Sequence, residues 1–423
     1  MSDPNSHPAA SITAALARPV HKAYHTGTHR LRSPTETVAL MSQFTRSMGI
    51  TRIADVTGLD CIGVPVVMVC RPNARSLSVS QGKGLDLAAA KASGLMECAE
   101  LYHAERIQLP LKYGSYEEMR RAHRVVNAMA LPSTLGSLFH PELPIFWIEG
   151  YDLLQDECVW LPYELVHTNY TLPQLPGSGC FDSTSNGLAS GNHLLEAITH
   201  GIYEVIERDA TSLWHRRSLD ARRVTQLHLI TVDDPGCCEV LEKCARAGVS
   251  IAAWEMTTEI GLPVFECLLV EEKIDPLRPL CGTAGMGCHA TREIALLRAL
   301  TEAVQSRLTF IAGSRDDLFR TDYYRAYGHD KLLDACVQTA GGQPARAFHA
   351  APTTMEQTFN DDIAWALNGV RAAGFDRVIV VDLSRPELPI AVVRVVIPGL
   401  EGVDHHPTYV PGARARALLG GQA

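Results

Sequence analysis

Three times along this 423-residue chain, a stretch rich in Gly or Ser runs into a helical segment with few charges, in which glutamates outnumber cations overall. The first helical run, about residues 87–106, follows Gly82-Lys83-Gly84, and residues 88–104 carry only Lys91, Glu97 and Glu100 as charges. The second, about residues 194–214, follows the Gly/Ser-rich stretch 183–191, and through residue 208 its charges are Glu196, Glu204, Glu207 and Arg208. The third, residues 291–312, follows the Gly-rich stretch 282–287, and residues 294–306 hold only Arg298 and Glu302. A solvated helix face carries many charges of both signs at i,i+4 spacing. These helices surround their glutamates with Leu, Ile, Ala, Met and Cys instead, so they are expected to be largely buried.

At about 100° per residue, Glu97 and Glu100 lie about 60° apart, Glu204 and Glu207 repeat that offset, and Glu196 and Glu207 differ by only about 20°. The carboxylates therefore form narrow stripes, and buried carboxylates need cations or metals as partners. Six glutamates face only two arginines on these stripes. Hard divalent cations bridging phosphate oxygens would neutralise that surplus, and Mg2+ suits oxygen-only ligands. Backbone N–H groups of Gly/Ser loops at helix amino termini suit phosphate. Neither a Walker A sequence nor G-x-G-x-x-G is present. A plainer reading stands beside this one: Arg298 with Glu302 and Glu204 with Arg208 are i,i+4 pairs that form simple salt bridges. On that reading Glu100 reaches a surface rim and Ser93 packs against a neighbouring backbone.

Composition narrows the field. Forty-six per cent apolar and 20% charged residues exclude disorder and a coiled coil. A net charge of -9 repels phosphate backbones, so no nucleic acid partner is expected. No apolar run approaches bilayer length and the amino terminus lacks a signal core, so a cytoplasmic protein without membrane contact is expected. The 12 cysteines show no zinc or thioredoxin spacing, and Cys237 and Cys238 read as small apolar residues.

Residues 1–20, rich in Ser, Ala and Pro, read as a flexible arm, leaving 21–423 as one domain with a possible local αβ unit at 222–275. Strands and helices mix without strict alternation, which predicts an α+β fold. A hairpin is expected about Arg71-Pro72-Asn73, and strands near 377–383 and 390–397.

The motifs together resemble the YcaO family, ATP-dependent enzymes that activate peptide backbone amides. The resemblance spans about residues 22–401. It rests on Leu59-Asp60-Cys61-Ile62-Gly63-Val64-Pro65, Ser80-Gln81-Gly82-Lys83-Gly84, Ser185-Asn186-Gly187-Leu188-Ala189-Ser190-Gly191 and Glu204-Val205-Ile206-Glu207-Arg208-Asp209. The run from Ala295 through Arg298 and Glu302 to Arg307 completes it. The resemblance implies a YcaO-type fold with mixed or antiparallel sheets and three loop-helix units around an ATP site. It implies that Glu97, Glu100, Glu196, Glu204, Glu207 and Glu302 hold Mg2+ directly or through water. It implies that Ser93, Asn192, Arg208 and Arg298 contact the nucleotide, with Lys22, Arg30 and Lys83 reaching phosphates. Arg298 and Glu302 are the expected catalytic pair.

The family divides by the nucleophile that attacks the activated amide: a Cys, Ser or Thr side chain gives an azoline, sulfide gives a thioamide. Azoline-forming members commonly end in a Pro-rich P-x-P-x-P tail, which this carboxyl terminus does not show. The Arg394 and Val396-Ile397-Pro398-Gly399-Leu400-Glu401 ending is similar to the branch that works beside a TfuA-type partner. The resemblance therefore implies thioamide formation on a peptide substrate, with a separate TfuA-type partner and a homodimeric enzyme. Azoline formation and a non-catalytic ATP-binding accessory role are the alternatives.

Overall fold

The structure of the protein, a computed structural model, describes residues 8–271, 280, 282–318, 320–326 and 345–420. The chain divides into two compact units, one of Met1–Ala23, Ala99–Arg216 and Glu356–Ala423, the other of Tyr24–Cys98 and Arg217–Met355. The chain thus passes back and forth between these two units. The change at Ala99 falls inside the first glutamate helix, Leu87–Ala104. The fold is α+β.

The unit holding Ala99–Arg216 is built on a six-stranded sheet in which every pairing is antiparallel. Strand Leu111–Gly114 lies beside Ile145–Asp152, followed by Ile379–Asp382, Ala391–Val396 and Leu188–Gly191, while Glu157–Pro162 also pairs with Ile145–Asp152. The second glutamate helix, Leu194–His215, packs on Leu188–Gly191 and Ala391–Val396, with helix Phe359–Ala372 against it. Its apolar residues Ile198, Ile202 and Ile206 are fully buried, as expected for a helix apolar on nearly all sides. Residues read from sequence as a flexible arm include a helix, Pro8–Leu16, whose Ile12 is fully buried. Ile12 and Leu16 are the large apolar residues among its nine, too few for a clear periodic signal in sequence.

The second unit holds two three-stranded antiparallel sheets. One contains Arg52–Asp55, Val66–Cys70 and Val79–Lys83, the last two forming the expected hairpin. The other runs Val249–Glu255, Val264–Glu271, Gly282–Cys288. A short parallel pairing of Leu227–His228 with Arg346–Ala347 makes the fold mixed. The third glutamate helix, Arg292–Ala312, lies on Gly282–Cys288 and Val264–Glu271. Cys237 sits in the apolar core here with the partly buried Cys238 packed against it, in keeping with their reading as small apolar residues. Of the 222–275 unit, residues 272–275 lie outside the described residues; the rest belongs to this larger body, whose third strand falls beyond it.

The structure revises the three Gly/Ser-rich stretches. Val79–Lys83, Leu188–Gly191 and Gly282–Cys288 are paired strands, so the third stretch is strand throughout, while residues 183–187 and 84 remain outside the strands. Their glycines admit a helix directly onto strand backbone. A Cβ on Gly82 would lie 2.0 Å from the Ala90 carbonyl oxygen, one on Gly191 2.6 Å from the Ala197 nitrogen, and one on Gly287 2.1 Å from the Ala295 carbonyl oxygen. Glycine inside a strand marks such a close backbone approach.

Candidate functional site

That close packing places one glutamate of each helix against the strand before it or, for Glu204, against the turn that leads into that strand. Glu97 Oε1 accepts the Gln81 N–H at 3.3 Å, Glu204 Oε1 accepts the Gly187 N–H at 3.4 Å, and Glu302 Oε1 accepts the Met286 N–H at 3.3 Å. Donor and acceptor are 16, 17 and 16 residues apart. The sequence shows no fixed-period repeat, yet strand, glycine, helix and clamped carboxylate recur three times. Glu100 is held similarly, accepting from the N–H and hydroxyl of Ser190 at 2.8 and 2.7 Å. Each clamp fixes one carboxylate oxygen and leaves the second for another partner.

In the unit containing Tyr24–Cys98, that second oxygen of Glu302 meets the Lys83 ammonium at 2.6 Å. Arg298, expected at i,i+4, is therefore not the sole cation near Glu302. Burial raises the Glu97 pKa, and the Glu302 charge adds to the rise, while Arg315, the Gln81 N–H and Lys83 oppose it. Glu97, Glu302, Lys83 and Arg315 thus form one electrostatic cluster. Sequence reading missed Arg315. It follows the helix after Gly313-Ser314, and its guanidinium Nε donates to Asp317 at 2.8 Å. Ser93 stands one turn before Glu97 and is half-buried. Arg30 anchors a small bridge, exchanging backbone hydrogen bonds with Tyr24.

In the other unit, Glu196 and Glu207 are each only 1% exposed. Arg208 Nη2 lies 4.0 Å from Glu207 Oε1. Asn192 is half-buried just before the helix, whose first turn is capped by His193, not by a phosphate-type loop. Lys22 stands apart from this picture. Its ammonium donates to Asp362 Oδ1 at 2.8 Å and to the Glu356 carbonyl at 2.9 Å, and the ion pair is buried, with side chains 0% and 1% exposed.

Among the described residues, no three His, Cys, Asp or Glu side chains converge as a ready metal cage. The donor chemistry nevertheless fits a hard divalent cation: only carboxylate oxygens, held by backbone N–H groups and crowded enough that Glu302 raises Glu97. Beside Glu302, the positive charge is supplied by the Lys83 ammonium.

Comparison with known proteins identifies the family and the fold. A family model described as YcaO cyclodehydratase, ATP-ad Mg2+-binding, matches residues 81–401. A Rhizobium leguminosarum bv. trifolii protein, described as an uncharacterized protein in the tfuA 3' region, is 34% identical over 91% of this chain and 92% of its own. An uncharacterized Methanothermobacter thermautotrophicus protein is 33% identical over 91% of this chain and 98% of its own. YcaO from Methanopyrus kandleri, solved with AMPPCP and Mg2+, superposes with a TM-score of 0.73 at 21% identity over 93% of this chain and 99% of that one. A heterocyclase solved with substrate and cofactor gives 0.75 at 22% identity, covering 98% of this chain, which spans 58% of the heterocyclase. Those two likenesses speak for the fold, and the family match with the closer relatives speaks for kinship. By that match the chain belongs to the YcaO family of ATP- and Mg2+-binding, peptide-modifying enzymes.

Proposed function

We propose that the protein activates a backbone amide of a peptide with ATP and converts it to a thioamide. The observation that carries the ATP chemistry is the thrice-repeated strand–helix corner with a carboxylate clamped by backbone N–H. Kinship to the protein of the tfuA 3' region favours sulfide as the nucleophile and a separate TfuA-type partner. In this reading Glu97, Glu100, Glu196, Glu204, Glu207 and Glu302 hold Mg2+ directly or through water. Ser93, Asn192, Arg208 and Arg298 contact the nucleotide, with Arg30 and Lys83 as further phosphate-side cations, while Lys22, expected to join them, is committed to its buried pair with Asp362. Bound Mg2+ would supply neutralisation of polyphosphate charge.

The chain's own residues contribute positioning and electrostatic stabilisation. Lys83, tied to Glu302, and Arg298, one turn before it, direct positive charge to the transferring phosphoryl group. Glu302 orients Lys83 while its backbone clamp holds the carboxylate in place. The amide oxygen attacks the γ-phosphorus, the bond to the β–γ bridging oxygen breaks, ADP leaves and the amide nitrogen loses its proton. Hydrosulfide then adds to the imidate carbon and the nitrogen regains a proton. Cleavage of the C–O bond releases inorganic phosphate carrying the amide oxygen, leaving C=S. One ATP and one hydrosulfide are consumed, and nothing is oxidised or reduced.

The family description as a cyclodehydratase supports a second reading, attack by a substrate Cys, Ser or Thr to give an azoline with net loss of water. A third, non-catalytic accessory binding of ATP, predicts no substrate-dependent turnover. The assay uses the full chain as a homodimer with ATP, Mg2+, sulfide, a TfuA-type partner and a cognate precursor peptide. Replacement of oxygen by sulfur in the peptide mass supports the thioamide reading. Loss of water, or absence of ATP turnover, replaces it with the second or third. Glu302→Ala and Glu207→Ala should abolish ATP turnover in folded protein; wild-type turnover in both refutes the metal assignment.

A further inference from the structure

The apolar strand Ala391–Val396 carries one charge, Arg394, in the middle of the six-stranded sheet. Its side chain is 2% exposed. Nη2 donates to the Thr184 carbonyl oxygen, while Nε and Nη1 have no hydrogen-bond partner among the described residues. Open donors on a buried cation are costly, so native structures rarely leave them without a use. Burial pulls the Arg394 pKa down to about 10, which keeps the guanidinium charged at neutral pH.

Arg394 borders a cavity whose other polar walls are Asp182, Thr184, Asn186 and Glu401. Two acceptors there, Asp182 Oδ1, which lies 4.0 Å from His406 Nδ1, and Asn186 Oδ1, also have no hydrogen-bond partner among the described residues. The rest of the lining is largely apolar, including Val205, Val395, Ile397 and Leu400. The cavity volume is about 30 Å³, against the roughly 10–15 Å³ that one water needs. The space suits a guest of one or two heavy atoms, not a phosphate or a peptide carboxylate. Two open donors on a cation call for an anion, and the facing acceptors call for a guest that also donates a hydrogen. Apolar walls favour a soft, weakly hydrated, singly charged ion.

The cavity adjoins the proposed reaction machinery. Val205 follows Glu204, and Asn186 precedes Gly187, whose N–H is clamped by Glu204. The Glu204 charge is felt at Arg394. We infer that this cavity seats hydrosulfide, its sulfur accepting from Arg394 Nε and Nη1 and its S–H donating to Asn186 or Asp182. This assignment rests on the thioamide reading for its choice of anion, and it makes Arg394 a nucleophile-positioning residue.

The test has a binding arm and a kinetic arm. Crystals of the full chain soaked in hydroselenide should show anomalous selenium density against Arg394. Density in the cavity supports the site whichever product the enzyme makes, and a cavity without selenium overturns it even where thioamide forms. In thioamide assays, Arg394→Lys and Asn186→Leu should raise the half-saturating sulfide concentration about tenfold or more, the loss expected for a charged hydrogen bond. The KM for ATP should stay within about twofold. Unchanged sulfide dependence in both variants, or an equal rise in both constants, overturns the assignment. Because Asn186→Leu leaves the buried cation in place, it keeps the kinetic arm informative should Arg394→Lys fold poorly.

Discussion

Gly285→Ala puts the strand–helix corner under the most direct strain. A Cβ at this position would lie 2.1 Å from the Ala303 nitrogen, 2.5 Å from the Ala299 carbonyl oxygen and 2.6 Å from the Glu302 carbonyl carbon. Ordinary contact begins at 3.4 Å, and all three atoms are helix backbone, so no side chain can rotate away. The helix must retreat by roughly 1 Å, and such overpacking costs about 1–3 kcal/mol. Because Glu302 rides on that turn, its carboxylate moves with the backbone that the new methyl displaces. A misplacement of about 1 Å lowers rate by about 100-fold. Urea unfolding followed by tryptophan fluorescence reads the first effect, since Trp254 is buried on the strand Val249–Glu255 in the same sheet. ATP turnover with peptide in the folded variant reads the second. Gly58→Ala is the control: nothing stands within 4 Å of its Cβ, and its change should stay within about 1 kcal/mol. A Gly285→Ala protein with wild-type midpoint and turnover would refute the argument that glycine is present to admit the helix.

Three further outcomes are expected. Lys22→Met leaves Asp362 buried without its ammonium, so unfolding free energy should fall by about 3–5 kcal/mol, and Asp362→Asn in the same chain should recover part of it; an unchanged denaturation midpoint would show that the pair contributes nothing. Burial holds the His103 pKa down to about 4, against an ordinary 6.5, so the folded state resists taking up the proton. The resulting stability is complete above pH 6.5 and is lost as pH falls towards about 4, by up to about 1.4 kcal/mol per pH unit; His103→Leu should flatten that slope in urea titrations. Tyr409→Phe removes a donor to Glu401, the carboxylate that also accepts the Gly412 and Ala415 N–H groups. The variant should lose about 1–3 kcal/mol and speed hydrogen exchange in helix Ala413–Gly420; unaltered exchange there would count against Glu401 as the fastening of the carboxyl-terminal helix.

Much of the candidate site is legible locally. Glu97, Glu204 and Glu302 stand out because a helix stripped of other charges advertises its carboxylates, and helical spacing follows from sequence distance alone. The strands before them were harder to read. Gly282–Cys288 carries glycine at 282, 285 and 287, and low strand propensity made it resemble a loop. Its strand character comes from pairing with Val264–Glu271 and from a helix lying against it, neither of which is a property of seven residues.

The amino-acid sequence by itself determined which helices are buried, which carboxylates they carry and the family to which the chain belongs, because periodicity and motif are short-range properties. Only the tertiary structure decided where each charge finds its partner. Lys22 meets Asp362 across 340 residues of chain, Lys83 meets Glu302 across 219, and Arg394, notable in sequence only as part of a carboxyl-terminal motif, ends in a cavity with two donors open. Electrostatic pairing depends on distance in space and on burial, and folding sets both with little regard for separation along the chain.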